Sequence, residues 1–511
     1  MLKIIDELLN KITMYRLTLY YLIAIVFFAV CISFFDFLPY NALDIIISSV
    51  ILITFSYLSN LIFAKLFKAV TNIESVFITA LILVLIMPIK FPSDSFIIVV
   101  TGILAMASKY LLTVNKSHIF NPSAVAVVAI SLLSSTSASW WVGTPVMLPI
   151  IVVGGILVMR KTQREDLILS FTFGLLIFLG IATFIRTNSI DSIISVWDIS
   201  LFHSALLFFT FVMLVEPLTS PSTRKLRGFF GYFVAVLYAF PQFRFINFII
   251  TPEIALIMGN IFSHLVSPNY RFNLYLKNKK KLTNDTFEFE FDKQNDLNFI
   301  PGQYMEWTLP HKNADSRGNR RYFSISSSPT EKDLTIGVKF YNPSSTYKKE
   351  LLGLQVNGRI IASQVAGSFT MPKKSKAPLV FIAGGVGITP FRSIIQYILD
   401  KNLFVNIVLL YTNKTKEDII YKDVFDKAQE NGVKTIYNLT DLEKIPNDWN
   451  GTKGHITTEL IQKEIPDYLE RIFYISGPQL MVQNFKEVLI SSGVKRNKIV
   501  TDFFPGYEEK N

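Results

Sequence analysis

Two short segments carry the residue types that flavin and dinucleotide chemistry needs. Arg321-Tyr322-Phe323-Ser324 comes first, and Gly384-Gly385-Val386-Gly387-Ile388-Thr389-Pro390 follows some sixty residues later. An arginine can clamp a pyrophosphate with two parallel hydrogen bonds. Alternate residues of a strand share a face, so Arg321 and Phe323 point the same way. There the aromatic can stack on an isoalloxazine, and the Ser324 hydroxyl or amide can reach its redox-active nitrogen. Arg-x-aromatic-Ser alone is equally at home in an ordinary barrel strand. The second segment adds weight. Leu379-Val380-Phe381-Ile382-Ala383 is a continuous apolar run, the sign of a buried parallel strand. It runs into the glycines, and Thr389-Pro390-Phe391 then opens a helix predicted to continue through Leu399. Glycines let backbone amides approach a pyrophosphate, and a helix N-terminus favours its negative charge. A flavin on the first segment and a nicotinamide dinucleotide on the second imply hydride transfer.

The elements that must position these segments are legible around them. Thr286–Phe291 and Leu334–Phe340 alternate with period two, as half-buried strands do. Pro301-Gly302-Gln303-Tyr304 supplies a tight turn into another strand that ends near Leu309. Together these predict a small antiparallel barrel. Further βα units follow at Val405–Tyr411, Lys434–Leu439 and Ile472–Ile475, the last leading into Ser476-Gly477-Pro478. In open parallel sheets ligands sit beyond the carboxyl ends of the strands, where all these loops lie. Aromatics close the chain at Phe503, Phe504 and Tyr507, with Phe504 a candidate cofactor contact. The loop after Tyr411 holds no arginine to grip a 2′-phosphate, and Glu417 and Asp418 disfavour one. This favours NADH over NADPH, with Lys414 and Lys416 the residues that would reverse the preference.

The first half of the chain is of another kind. Up to about Val266 the apolar residues come in long runs that read as membrane helices. Spans are predicted near 17–38, 42–64, 75–89, 94–112, 121–135, 145–159, 167–185, 200–216, 228–241 and 248–266. The N-terminal stretch lacks a small-residue cleavage site, so Leu17–Leu38 is expected to be a retained helix. Lys65, Lys68, Lys116, Arg160, Lys161, Arg164, Arg224, Lys225 and Arg227 fall in alternate loops. The opposite loops, 39–41, 134–144, 186–199 and 241–247, carry few cations. By the positive-inside rule both termini are cytosolic, in a multi-pass protein of the bacterial cytoplasmic membrane. The net charge of +11 thus lies in these loops and on Lys277, Lys279, Lys280 and Lys281, placed to meet lipid headgroups, not nucleic acid. An internal echo links 77–88 with 208–217 and 121–126 with 251–256. Each pair is separated by an odd number of spans, which predicts an inverted repeat with a polar site near its interface. The alternative is that X-Pro merely marks helix starts.

Cysteine and histidine counts exclude several functions. Cys31 is the single cysteine, so the chain can form neither an internal disulfide nor a cysteine-ligated iron–sulfur or zinc centre. Of five histidines, only His118, His203 and His264 lie in or beside the apolar half, too few to ligate two stacked haems.

With these residues in view, the segment from Tyr270 to Asn511 resembles the ferredoxin–NADP⁺ reductase superfamily. The resemblance rests on five motifs in family order. It implies an FAD-binding barrel over 270–372 and a Rossmann-like nicotinamide domain over 376–511, behind a membrane electron-transfer domain over 1–268. By this resemblance Arg321, Tyr322, Phe323 and Ser324 form the flavin-binding strand, with phenylalanine where the family usually has tyrosine. Gly337, Val338 and Lys339 match the next flavin-contacting strand. Ser345 and Thr346 begin the helix that faces the FAD pyrophosphate. Gly384, Gly385, Val386, Gly387, Thr389 and Pro390 match the nicotinamide pyrophosphate loop. Ser476, Gly477 and Pro478 stand where the family has Cys-Gly-Pro, so Ser324 and Ser476 are the candidate catalytic residues, with no thiol beside the nicotinamide. No metal is implied.

The first 266 residues resemble the NqrB/RnfD-like family of membrane proteins, whose members belong to the Na⁺-translocating NADH:quinone reductase and the Rnf complex. The carrying residues are His118-Ile119-Phe120-Asn121-Pro122-Ser123-Ala124 and Glu216-Pro217-Leu218-Thr219-Ser220-Pro221-Ser222-Thr223, followed by Arg227-Gly228. That family carries flavins, one of them an FMN bound covalently in a Ser-Gly-Ala-Thr-like segment. The matching loop here, 134–144, lacks that segment, which leaves a non-covalent FMN or riboflavin, or a quinone, as the ligand expected near Glu216, Thr219, Ser220 and Thr223. These residues serve equally well as helix caps and an interfacial carboxylate. The whole chain thus reads as a polytopic α-helical membrane domain of about ten helices fused to a barrel and an α/β domain. Its expected function is an NAD(P)H oxidoreductase whose FAD feeds a membrane flavin, a quinone, an acceptor across the bilayer or other electron-transport subunits. The competing reading is a secondary transporter with a redox-sensing flavodomain.

Overall fold

A computed structural model describes residues 5, 9, 12–69, 72–115, 117–134, 136–240, 250–315, 317–372 and 377–502. It divides into two compact units, Met1–Tyr270 and Arg271–Asn511, each treated by itself below.

The first unit is helical. Met14–Ser33, Ala42–Leu66, Pro145–Thr162 and Glu165–Thr187 are long and apolar enough to cross a bilayer, and Ile190–Phe202 with Leu206–Met213 makes a fifth only if a 59° bend is allowed. Ile73–Ile86, Ser95–Leu111, Pro122–Ser134 and Pro252–Val266 are apolar but shorter. At 1.5 Å per residue a 14-residue helix reaches about 21 Å, against roughly 30 Å of hydrocarbon. Among the described residues, four helices, or five with the bent pair, thus meet the length and composition of a span, against the ten expected. The connection expected over 186–199 is instead largely the helix Ile190–Phe202, none of whose residues is buried. Ser189 starts that helix by accepting from the Ser192 amide.

Ile73–Ile86 ends inside the unit, with every residue from Thr79 to Ile86 buried. Pro88 has no N–H, so the Val84 carbonyl loses its helical partner. Trp141 Nε1 replaces it at 2.8 Å. The terminal Ile86 carbonyl accepts from the Ser139 and Trp140 amides at 2.8 and 3.1 Å. Buried backbone polar groups of this kind need a partner within the protein. Pro122–Ser134 and Pro252–Val266 begin alike, Asn121 Oδ1 accepting from the Ala124 amide and Thr251 Oγ1 from Ile254. Capping followed by proline accounts for the likeness of these two segments on its own.

The second unit holds two six-stranded sheets. The antiparallel one comprises β1 (Arg271–Lys281), β2 (Thr286–Asp292), β3 (Tyr304–Thr308), β4 (Arg320–Ser324), β5 (Asp333–Lys339) and β6 (Arg359–Ala366), in the order β4-β3-β6-β1-β2-β5. Its outer strands meet where the Ser326 amide donates to Thr335 O at 2.9 Å, closing a barrel. The lysines expected at headgroups lie in the second half of β1, with Lys279 and Lys281 opposite Phe289 and Phe287. Lys277 Nζ is 2.7 Å from Asp333 Oδ1. The basic run is therefore barrel strand, not linker. Helix α1 (Thr346–Gly353) connects β5 to β6.

The other sheet is parallel: β7 (Leu379–Gly384), β8 (Ile407–Asn413), β9 (Val433–Leu439), β10 (Thr452–Lys453), β11 (Ile472–Ser476) and β12 (Ile499–Asp502), in the order β10-β9-β8-β7-β11-β12. Helices α2 (Thr389–Asp400), α3 (Lys422–Lys427), α4 (Thr458–Glu464) and α5 (Gln479–Ser491) intervene. All six residues of β7 are buried, as its unbroken apolar run requires. Phe381 packs with Phe369, Phe391 and Tyr474 on one face of the sheet, while Val380 and Ile382 pack with Phe473 and Ile475 on the other. The chain steps outward from β7 to β10, then returns to the other side of β7 with β11. The carboxyl ends of β7 and β11 thus flank a topological switch point.

Trp141→Phe keeps the ring but leaves the buried Val84 carbonyl without a donor, at a cost of about 1–3 kcal/mol. A lower thermal midpoint of the purified chain is expected, and an unchanged one would show that the indole bond is dispensable.

Candidate functional site

In the barrel, β3 and β4 run in register, with Trp307 opposite Arg321 and Met305 opposite Phe323. The Arg321 guanidinium carbon stands 4.9 Å from the centroid of the Tyr347 ring, and the Phe323 ring centroid lies 6.2 Å from the same ring. Tyr347 is fully buried, and its hydroxyl donates to Trp307 O at 3.2 Å. Period two along β4 and this shared partner bring Arg321 and Phe323 to the start of α1, beside Ser345 and Thr346. Ser324 closes β4 and is buried. Tyr322 faces the other way. Its hydroxyl donates to Glu306 Oε2 at 2.9 Å, next to the Arg320–Glu306 ion pair at 3.1 Å. The expected Tyr322 is therefore not among the residues gathered here, and Tyr347, which no motif marked, is.

The amide end of α1 already has an anionic partner. The Thr346 amide donates to Asp315 Oδ2 at 3.0 Å, and the Asp315 amide returns a bond to Thr346 Oγ1 at 3.0 Å. Partial burial pushes the Asp315 carboxyl up, but the Thr346 amide and Arg317 outweigh it and hold it below the usual carboxylate range. Arg321 Nη1 meanwhile donates to the carbonyls of Arg317 and Arg320 at 2.8 and 2.6 Å. A pyrophosphate drawing on both Arg321 and the Thr346 amide must take the place of Asp315. On β5, Gly337 lies opposite Glu288, Val338 is buried, and Lys339 Nζ pairs with Asp285 Oδ2 at 3.1 Å.

In the parallel sheet the glycine-rich segment turns sharply between β7 and α2. Gly385 takes φ +52°, a left-handed conformation that glycine adopts without strain. A Cβ on Gly387 would lie 2.5 Å from Gly477 Cα, so the loop after β7 rests on the backbone of the loop after β11. A Cβ on Gly384 would meet the Met481 sulfur at 2.3 Å. Thr389 Oγ1 donates to Val386 O at 3.1 Å, and Pro390 occupies the first turn of α2. Pro478 stands immediately before α5, and Ser476 ends β11 beside Asp502 of β12. Asp502 Oδ2 is buried without a hydrogen-bond partner among the described residues, and burial pushes its carboxyl up to about 7. Phe504 lies outside the described residues.

The helical unit holds a polar cluster of its own. Glu216 is turned inward: Oε2 accepts from Asn121 Nδ2 at 2.9 Å and Thr219 Oγ1 at 3.3 Å, and Oε1 stands 3.7 Å from His118 Nε2. Asn260 ties the surrounding turns together, accepting from the Asn121 amide and donating to Thr219 O. Ser220 Oγ donates to Glu216 O at 2.6 Å and accepts from buried Arg164. Thr223 precedes the helix Arg224–Ala239 without capping it through its side chain.

Residues 381–487 match the oxidoreductase NAD-binding domain family. A glycine betaine monooxygenase reductase subunit of Chromohalobacter salexigens is 27% identical over 213 residues, covering 41% of this chain and 56% of that protein. NADH-cytochrome b5 reductase 1 of Ajellomyces capsulatus is 26% identical over 259 residues, covering 48% of this chain and 82% of that protein. The solved cytochrome P450 reductase of Amycolatopsis is 21% identical, covering 46% of this chain and 70% of that one with a TM-score of 0.42. The C-terminal half matches the FAD- and NAD-binding ferredoxin–NADP⁺ reductase family. It is an oxidoreductase module for FAD and a nicotinamide dinucleotide.

The residues present fit both groups. Gly387 lets the two loops pack backbone to backbone at the switch point, which no side chain at 387 would permit, and the Arg321–Phe323 face presents a cation and a ring side by side. Gly387→Ala must force the two loops apart. We expect it to raise the NADH dissociation constant about tenfold or more, roughly 1.4 kcal/mol, with FAD content unchanged. Titration calorimetry and the flavin spectrum report the two, and unaltered NADH affinity would refute the cradle.

Proposed function

We propose that this chain is a membrane-bound, FAD-dependent NAD(P)H oxidoreductase. Its C-terminal unit takes in reducing equivalents, and its N-terminal unit passes them to a membrane flavin, a quinone or an acceptor across the bilayer. The observation that carries the reading is the meeting of loops 384–390 and 476–478 at the switch point of the parallel sheet, in the same unit as the Arg321–Phe323 strand. Bound FAD supplies a ring that takes electrons as a hydride pair and releases them singly.

The chain's own residues do the rest. Arg321 neutralises pyrophosphate charge, Phe323 covers the ring, and Ser324 offers a hydrogen bond at the end of β4. Loop 384–390 accepts the dinucleotide pyrophosphate on backbone amides and the first turn of α2. Ser476 takes the place of the family's thiol beside the nicotinamide, with a hydroxyl of similar size. NADH is the favoured donor. Asp418 Oδ2 is anchored by the Thr415 amide and hydroxyl at 3.1 and 3.2 Å, just past β8, where a fixed negative charge opposes a 2′-phosphate. Lys416 Nζ lies 3.7 Å from Asp448.

For the helical unit, the proposal is a multi-pass arrangement in the bacterial cytoplasmic membrane with both termini cytosolic. The alternation of basic loops supports that orientation. Ionisable groups held inside an apolar bundle mark functional sites more often than not. The inward Glu216 with His118, Asn121 and Thr219 supports a site there for a non-covalent flavin or quinone.

Anaerobic addition of NADH to the purified chain is expected to bleach the flavin absorbance, and added quinone to restore it. A flavin that stays oxidised eliminates the oxidoreductase reading, whereas one that bleaches but ignores quinone points to another acceptor. A pH effect follows from Asp502. Below about pH 7 its buried carboxyl is neutral, and above it is charged. Oxidation of NADH leaves a positive ring, which an anion beside Ser476 stabilises. The rate of flavin reduction is therefore expected to rise with pH through about 7, and Asp502→Asn to flatten that rise. Stopped-flow rates that keep the same pH step in Asp502→Asn would assign it to another group.

A further inference from the structure

Helix α2 begins at the end of the nicotinamide loop, and one turn in it carries Arg392, which reaches out of the parallel-sheet domain into the barrel. Arg392 makes a two-pronged ion pair with Glu331, Nη2 lying 2.9 Å from Oε1 and Nη1 bonding Oε2. Nη1 also donates to Ser326 O at 3.1 Å. The next residue, Ser393, donates from Oγ to Ser327 O at 2.6 Å. The segment so gripped, 326–331, starts two residues after Ser324.

A second strut runs alongside. Tyr421 sits immediately before α3 with φ +57°, a left-handed conformation that strains a residue with a side chain. Its hydroxyl donates to Glu288 Oε2 of β2 at 2.7 Å, and the Arg392 guanidinium stacks over its ring at 5.6 Å. Gly337 of β5 faces both struts, since a Cβ there would come within 2.8 Å of Thr389 Cγ2 and 3.1 Å of Tyr421 Oη. The segment that follows the flavin strand β4 and the helix that follows the nicotinamide loop are thus joined by one connected set of bonds.

A largely buried ion pair contributes little net stability, because desolvation offsets most of the attraction. The Arg392 and Glu331 side chains are 13% and 29% exposed. Backbone strain that persists in a folded chain also needs surroundings that over-determine it, and such strain collects at functional sites. Both points favour a role in geometry over one in stability. We propose that Arg392, with Glu331 and Tyr421, is a positioning residue for hydride transfer, a bracket that holds the nicotinamide loop in register with the flavin strand. The inference rests on the oxidoreductase reading above and assigns to these residues the spacing between donor and acceptor rings.

The test uses the full-length FAD-loaded chain in stopped flow, with Arg392→Met as the main variant. Tyr421→Phe, which deletes a single hydroxyl, is the second variant should the first fold poorly. Misplacement of reacting groups by about 1 Å can cost up to a hundredfold in rate, so a fall of about tenfold or more is expected in the limiting rate of flavin reduction for Arg392→Met. Tyr421→Phe should show a smaller fall. The NADH dissociation constant should stay within about twofold, because no dinucleotide contact is removed. The long-wavelength charge-transfer absorbance of the reduced flavin–NAD⁺ pair should weaken in step. Glu331→Gln should match Arg392→Met, and the double variant should be no slower than either single one.

Hydrogen exchange on the FAD-free chain supplies a readout independent of turnover: amides of 326–331 and 389–393 should exchange faster in Arg392→Met. Faster exchange with an unchanged limiting rate and charge-transfer band would overturn the proposal and leave a purely structural contact. Unchanged exchange would overturn it as well. Failure of the wild-type chain to bleach would instead remove the oxidoreductase reading, and the exchange data would still decide whether the bracket exists.

Discussion

The approach of Gly387 to Gly477 is the constraint on which the nicotinamide-binding half depends. Two loops from strands far apart in sequence meet backbone to backbone, at a separation that no Cβ tolerates. The parallel register makes this possible, because β11 lies beside β7 with Ser476 opposite Ala383. The buried faces of the sheet, Phe381 with Tyr474 and Val380 with Phe473, hold that register. A pyrophosphate cradle at this point is a product of core packing as much as of glycine chemistry.

The flavin face is built by a different logic. One strand delivers a cation and a ring to the same side, and a single buried tyrosine, Tyr347, supports both. The helix that Tyr347 belongs to presents its first amides to Asp315. An anionic side chain in that position keeps the helix end satisfied and marks it as a place where negative charge is stable. The same electrostatics that accommodate Asp315 suit a pyrophosphate.

The helical unit solves its own backbone problem before it can host chemistry. A helix that stops in the interior exposes carbonyls, and the donors for Val84 and Ile86 come from the stretch Ser139–Trp141. Elsewhere in the unit, Asn121 links Glu216 and Asn260 in one hydrogen-bonded chain, with the Glu216 carboxylate partly buried.

The sequence by itself determined the elements of the second unit and most of its ligand-facing loops. Period-two strands, an unbroken apolar strand and a glycine run before Thr-Pro are local patterns, and the structure places strands and helix within a few residues of them. It also showed where apolar helices lie in the first unit, though not how many are long enough to cross a bilayer, because hydropathy does not register where a proline or a bend ends a helix. The lysine run after Tyr270 misleads for a related reason. Its charges dominate the text, while the alternation that makes it β1 is completed only by its partner β2. Only the tertiary structure decided that Tyr322 faces away from Phe323 towards Glu306, that Tyr347 and Asp315 stand at the flavin face, and that Arg392 grips Glu331 across two domains. Each of these depends on contacts between residues distant in sequence or on which side of a strand meets the core, and neither is written in the spacing of a motif.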